Sequence, residues 1–170
     1  MSVDFCPPPP SLTLKNEQLA WSDRIEGLLD RAFGPGRFVK VSERVREIAE
    51  FAPELSFCAF DGETLVGVVR MWRVKAGGET VVFLGPLAVD PDQQSAGVGG
   101  LLVEKACAAA KAAGEAWVVL VGDAPYFQRF GFTAADAAAI RLPGPVDQTR
   151  VQALKLRADA APLAGPMSRA

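Results

Sequence analysis

The stretch Val89-Asp90-Pro91-Asp92-Gln93-Gln94-Ser95-Ala96-Gly97-Val98-Gly99-Gly100 separates two segments of different hydrophobic period. Before it, Thr80 to Val89 is a mostly apolar run, broken by Gly85-Pro86, that reads as a strand. A proline there removes one ladder donor, so a bulge or splayed edge is expected at that point. After it, Val98, Leu101, Leu102, Ala106 and Ala109 form the apolar stripe of a helix over Val98 to Ala113, which Gly114 ends. A strand that turns through glycines into a helix presents the helix's unpaired N–H groups and positive dipole end at the turn. Glycines let the backbone approach an anion closely, so the pattern predicts a phosphate site.

Three phosphate patterns compete for it. A dinucleotide GxGxxG fingerprint requires glycine at position 102, where Leu102 stands, and an acidic residue at the next strand end is missing. A P-loop requires Gly-Lys-Ser/Thr, whereas these glycines lead into Leu101. The third pattern, [Gln/Arg]-x-x-Gly-x-[Gly/Ala], is met in full by Gln94-Ser95-Ala96-Gly97-Val98-Gly99.

Outward from this segment, the elements follow from pattern and punctuation. Ser11 to Lys15 alternates as a short strand, and Trp21 to Phe33 has helical spacing, with Ser22 or Asp23 as its cap. Val41 to Phe51 reads as a second helix capped by Ser42. Leu55 to Phe60 and Thr64 to Val74 form a hairpin about Asp61-Gly62, and Ala76-Gly77-Gly78 turns into the strand 80–89. Beyond the 98–113 helix come the continuously apolar strand Trp117 to Val121, a short helix over Pro125 to Phe130, a turn at Pro143-Gly144-Pro145 and a strand from Val151 to Leu156. This order predicts a mixed α/β layer fold around one sheet rather than regular βαβ alternation. The expected organisation is an extended Pro-rich leader over 1–10, one domain over 11–157 and a loose tail over 158–170.

Composition narrows the chemistry. The 170 residues fit one domain, burying roughly 70% of the unfolded surface. Eighteen Lys and Arg against 20 Asp and Glu give a net charge of -2, so no general field for nucleic acid or an anionic membrane exists. The chain has no histidine, which removes Ser-His-Asp and Cys-His catalysis, His-ligated zinc and a histidine base. Cys6, Cys58 and Cys107 are odd in number and contain no CxxC pair, so free thiols in a reducing compartment are expected. Neither a signal-peptide pattern nor an 18-residue apolar run is present, so a cytoplasmic location, without a membrane or metal, is expected.

The glycine segment, its preceding strand Leu84-Gly85-Pro86-Leu87-Ala88-Val89, the strand 117–121 and the block Tyr126-Phe127-Gln128-Arg129-Phe130-Gly131-Phe132 together resemble the GCN5-related N-acetyltransferase family, continuously from Leu55 to Phe132. The combination resembles a bacterial branch of predicted acetyltransferases. The resemblance implies a single, mixed, mostly antiparallel sheet, splayed after its fourth strand, with helices on both faces. It implies acetyl-CoA as co-substrate and direct transfer of the acetyl group to a primary amine, in a monomer or homodimer. A non-catalytic acyl-CoA-binding or regulatory module on the same fold is the alternative class.

Carried over residue by residue, the resemblance assigns Leu87, Ala88 and Val89 to the pantetheine arm, and Gln94, Ser95, Ala96, Gly97, Val98, Gly99 and Gly100 to the pyrophosphate. The family's acid tyrosine falls on Phe127. Tyr126, the chain's one tyrosine, stands one residue earlier, about 100° around a helix. Tyr126 is therefore either the acid or a packing residue, and Phe127 is expected to pack on the pantetheine. No carboxylate lies between Thr80 and Val89; Asp123 is either the general base or the cap of the short helix, and a water chain to bulk is the alternative route for the amine's proton. Arg129 either pairs with a CoA phosphate or is a solvated charge. Cys107 reads as a core residue rather than an acyl carrier. The loop from Gly34 to Phe38, with Arg37, is expected to line the acceptor side.

Overall fold

The computed structural model describes residues 11–34 and 41–170, the side chains at 41–42 and 94–96 excepted. The expected leader, the loop carrying Arg37 and the capping role of Ser42 lie outside the described residues. The strands are β1 (Leu12–Asn16), β2 (Glu50–Phe51), β3 (Phe57–Asp61), β4 (Thr64–Ala76), β5 (Glu79–Val89), β6 (Trp117–Val121), β7 (Ile140–Arg141), β8 (Val151–Lys155) and β9 (Gly165–Ser168). The helices are α1 (Ser22–Phe33), α2 (Val41–Ile48), α3 (Val98–Ala112) and α4 (Ala124–Gln128).

The main path of the sheet runs β1-β3-β4-β5-β6-β8. All neighbours along it are antiparallel except β5 and β6, which are parallel. Helices cover both faces. On one face α3 buries Val98, Leu102, Val103 and Ala106 against Val66, Val69, Val82 and Val118. On the other, Ile25, Leu28 and Leu29 of α1 pack on Cys58, Phe60, Val68 and Ala88, and Val45 of α2 joins Val74, Val81 and Phe83. Val82 lies on the first face and Val81 and Phe83 on the other, because successive side chains of a strand point to opposite faces.

Two irregularities shape the centre of the sheet. Val69 pairs with Leu87 but Met71 pairs with Leu84, so Arg70 alone faces both Gly85 and Pro86. This is the bulge expected from the proline. The second is a fork. β5 and β6 pair only at Val82–Val118 and Phe83–Val119, after which β5 stays with β4 and β6 with β8.

The structure corrects three expectations. The second helix stops at Ile48, and Phe51 instead lies in β2, paired with Trp72. The aromatic pair, with ring centroids 4.9 Å apart, rewards an extended chain there over another helical turn. Neither Ser22 nor Asp23 caps α1 through its side chain; Ser22 Oγ donates to the Leu19 carbonyl. Nor are residues 158–170 a loose tail. β9 pairs antiparallel with Lys75 and Ala76 of β4 and parallel with β7. Ala160, Leu163 and Met167 are buried, and Trp117 Nε1 donates to the Ala161 carbonyl at 2.9 Å. Apolar burial and edge pairing hold this segment down despite its weak periodicity.

Gly77 is where the segment meets the β4–β5 turn. A Cβ there would stand 1.4 Å from the Ala164 carbonyl oxygen, and φ is +58°. Gly78, at φ +92°, has open space around it. Gly77→Ala is therefore expected to cost about 2 kcal/mol or more, since backbone must move as well as strain. Thermal unfolding should fall by about 4–8 °C. Gly78→Ala should cost distinctly less; equal losses in the two variants would show that residues 164–168 do not press on this turn.

Candidate active site

The Asp90 N–H donates to the Val66 carbonyl at 2.7 Å. In an antiparallel ladder, alternate residues turn their polar groups to the same neighbour. Ala88 therefore faces β4, while Leu87 and Val89 turn their N–H and C=O groups toward the edge from which β6 has departed. The Gly85 carbonyl, freed at the bulge, accepts from Trp72 Nε1 at 2.7 Å.

Asp90 ends β5 by capping the 3-10 turn Pro91–Ala96, its carboxylate accepting from the Asp92 N–H at 3.0 Å. Gly97 then takes the left-handed conformation, φ +74°, which lets α3 start at Val98. Among the described residues, no atom lies within 4 Å of the point where a Gly97 Cβ would be. The first turn of α3 has no acidic residue to compete for its N–H groups. The glycine turn into a helix expected from the sequence is thus present.

Asp123 is exposed and accepts from the Tyr126 N–H at 3.2 Å, which caps α4. The single-residue step to Phe127 divides the two aromatic rings, which stand 89° apart in plane. Tyr126 Oη lies 3.1 Å from the position of a Gly99 Cβ, on the glycine turn. Partial burial raises the Tyr126 pKa, with Arg129 pulling the other way. Phe127 instead lies on Gly122, where a Cβ would meet its Cε2 at 2.4 Å, so only glycine admits the ring. Arg129 is exposed and its guanidinium lies over the rings of Tyr126 and Phe130.

A cavity of about 480 Å³ fills the fork between β5 and β6. Leu84 to Leu87 line it from β5 and Leu120 to Gly122 from the β6 side. Phe127, Leu29 and Phe33 of α1, and Pro145 and Val146 also line it. Neither Tyr126, Asp123 nor Arg129 lines it. Its charged residues are Glu43, Arg46, Asp147 and Arg150, none singled out from the sequence. The Glu43/Arg46 spacing of three on α2 and the glycine closing strand 117–121 were the available signals. Asp147 accepts from the Thr149 N–H at 3.0 Å and hydroxyl at 2.7 Å, which holds its carboxyl below the usual range. Among the described residues no group of His, Cys, Asp and Glu could hold a metal ion, and no helix is long and apolar enough to cross a membrane.

A sheet forked after its central bulge, with a glycine turn opening α3 beside the fork, is the architecture of an acyltransferase. Residues 22–132 match the acetyltransferase (GNAT) family, and the chain belongs to that family. It is 31% identical over 139 residues to the uncharacterized N-acetyltransferase YhbS of Escherichia coli (strain K12), covering 80% of this chain and 82% of that one. The crystal structure of Escherichia coli YhbS in complex with CoA superposes with a TM-score of 0.79 at 27% identity, covering 96% of this chain and 92% of the other. A GNAT family acetyltransferase from Brucella melitensis in complex with acetyl-CoA shares the fold, with a TM-score of 0.69 at 24% identity over 94% and 96% of the chains.

Cys58 and Cys107 test whether a thiol takes part in the chemistry. Burial disfavours the charged thiolate and pushes both pKa values up to about 12. At pH 8 the thiolate fraction is then on the order of one in ten thousand. In a Cys6→Ser background, an aromatic disulfide reagent at pH 8 should find no fast thiol in the native protein and two after denaturation. A fast-reacting thiol in the folded state would restore Cys107 as an acyl-carrier candidate.

Proposed function

We propose that the protein transfers an acetyl group from acetyl-CoA to a primary amine that attacks the thioester directly, with both bound together. The observation that supports this most is the open backbone edge at Leu87 and Val89, set between the glycine turn and the fork cavity. That edge offers N–H and C=O groups to a pantetheine arm, as an added strand would. The backbone from Gln94 to Gly100 would hold the pyrophosphate at the start of α3, where unpaired N–H groups and the helix dipole favour negative charge. Phe127 would pack on the arm at the cavity wall, and Arg129 would stand by a phosphate. Acetyl-CoA supplies an acetyl group already activated as a thioester. The fork holds the two reactants side by side, and positioning of this kind is worth roughly 7–11 kcal/mol of barrier. Free Cys58 and Cys107 suit a reducing compartment, and we place the protein in the cytoplasm.

Binding and turnover are separable. At a hundredfold excess over Kd, acetyl-CoA should stabilise the fold by about 2.7 kcal/mol, raising Tm by roughly 5–10 °C. An unchanged Tm at millimolar acetyl-CoA would remove the cofactor assignment. Thiol release in an amine screen identifies the enzyme; stabilisation without release from any amine would leave only an acyl-CoA-binding module.

Tyr126 and Phe127 have different expected phenotypes. The Tyr126 hydroxyl is directed to the glycine turn rather than the cavity, so Tyr126→Phe should leave kcat within a few-fold. Were Tyr126 the acid, kcat would fall by roughly 10²–10⁴-fold. Phe127→Ala should weaken acetyl-CoA binding tenfold or more, about 1.4 kcal/mol, through lost packing. Steady-state kinetics on both variants, with Tm as the folding control, distinguishes the assignments.

A further inference from the structure

Two polar residues are wholly buried among the described residues, Ser56 and Gln152, each 0% exposed. Ser56 uses its hydroxyl twice: it donates to the Ala52 carbonyl at 2.8 Å and accepts from the Met71 N–H at 2.9 Å. Gln152 is only half engaged. Its Nε2 donates to the Gly122 carbonyl at 3.2 Å and, at 3.4 Å, to the Arg150 carbonyl. Its Oε1 has no hydrogen-bond partner among the described residues. Gln152 pairs in register with Leu120, and cross-strand partners share a face of the sheet. Leu120 belongs to the apolar cluster that includes Phe127 and Phe132. An unbranched apolar side chain would fill such surroundings without leaving an amide oxygen buried and unpaired, which costs stability. Packing alone does not account for the amide; its bond to Gly122 does.

Gly122 is the joint between β6 and α4. Its N–H donates to the Arg150 carbonyl at 2.9 Å and its carbonyl takes the Gln152 amide, so the chain entering and forming β8 holds both polar groups of one residue. Asp123 follows directly, caps α4 and accepts from the Phe127 N–H at 3.1 Å through its carbonyl. The Phe127 ring occupies the place that a Gly122 side chain would take. The seat of the ring and the start of the helix that carries it therefore both depend on the orientation of the Gly122–Asp123 peptide. Gly122 and Phe127 line the fork cavity, whereas Gln152 stands behind them and does not.

Resting on the acetyltransferase reading, in which Phe127 packs on the pantetheine arm, we propose that Gln152 is a positioning residue for acetyl-CoA. Its amide fixes the Gly122 carbonyl, the fixed peptide seats Phe127, and Phe127 meets the arm. No bond is made or broken at Gln152, and it acts on the cofactor only through Gly122 and the ring. Packing on the arm is the same before and during acyl transfer, so the effect falls on acetyl-CoA affinity rather than on the chemical step.

The test is a double-mutant cycle read by calorimetric titration with acetyl-CoA, which needs no acceptor. Gln152→Met keeps the length of the side chain and removes its amide. It should weaken acetyl-CoA binding about threefold or more, and in a Phe127→Ala background the same substitution should change Kd by less than about 1.5-fold. A methionine variant with the wild-type Kd, or an equal loss with and without the Phe127 ring, would overturn the proposal. Gln152→Glu gives a second reading should the methionine variant fold poorly. Burial favours the protonated carboxyl, whose O–H can donate to Gly122, while the ionised form has no donor. Its Kd, taken against wild type at the same pH, should therefore be weakened at pH 9 and recover toward wild type at pH 5.5. A deficit that persists at pH 5.5, or none at pH 9, would also overturn the proposal. Wild-type protein that binds no acetyl-CoA would remove the acetyltransferase reading itself; wild-type binding with an unmoved Gln152→Met removes only the role of Gln152.

Discussion

Arg70 faces two residues where a regular strand would face one. The extra residue at Gly85-Pro86 bends β5 away from β6, and each strand keeps a different partner beyond the fork. The misfit is held from several sides. Glu17 grips Arg70 through two carboxylate oxygens, with N···O distances of 2.8–3.1 Å, and Trp72 takes up the stranded Gly85 carbonyl. A buried carbonyl without a donor costs roughly 1–3 kcal/mol, so the indole N–H offsets much of what the bulge would otherwise lose. Without the bulge, β5 and β6 would zip together, leaving neither a cavity nor an open edge at Leu87 and Val89.

Helix packing turns that opening into a site. α3 is anchored by Val98 and Leu102 on β4 and β5, which fixes the glycine turn at the end of the open edge. α4 is only five residues long, and its direction is set by the Asp123 cap and by Phe127 lying on Gly122. A single residue of that short helix, about 100° of rotation, therefore separates Tyr126, over the glycine turn, from Phe127, at the cavity.

The glycine segment and the bulge were legible because each depends on local chemistry: glycines before an apolar helical stripe, and a proline inside a strand. The ends of elements were less so. Phe51 has helical spacing with Val45 and Ile48, yet its partner is Trp72, twenty-one residues away, and no local pattern carries that preference. Residues 158–170 lack periodicity, and their place comes from an edge of β4 that only the finished sheet presents. The cavity's charged residues were hidden for the same reason. Glu43, Asp147 and Arg150 belong to distant segments that meet only after β6 has parted from β5 and paired with β8.

The hydrogen bond from Trp72 to Gly85 also gives the fork an optical label. The indole bridges β4 and the bulge, lies against Phe51 and borders the groove beside Pro86. Its emission depends on the polarity around that ring, and so on the separation of the two strands. Trp21 packs on Phe60 under α1, and Trp117 is bound to the Ala161 carbonyl, so the other two indoles report on different layers. The protein therefore contains, without added dyes, a separate fluorescent residue at the bulge, at the α1 face and at the closing C-terminal segment.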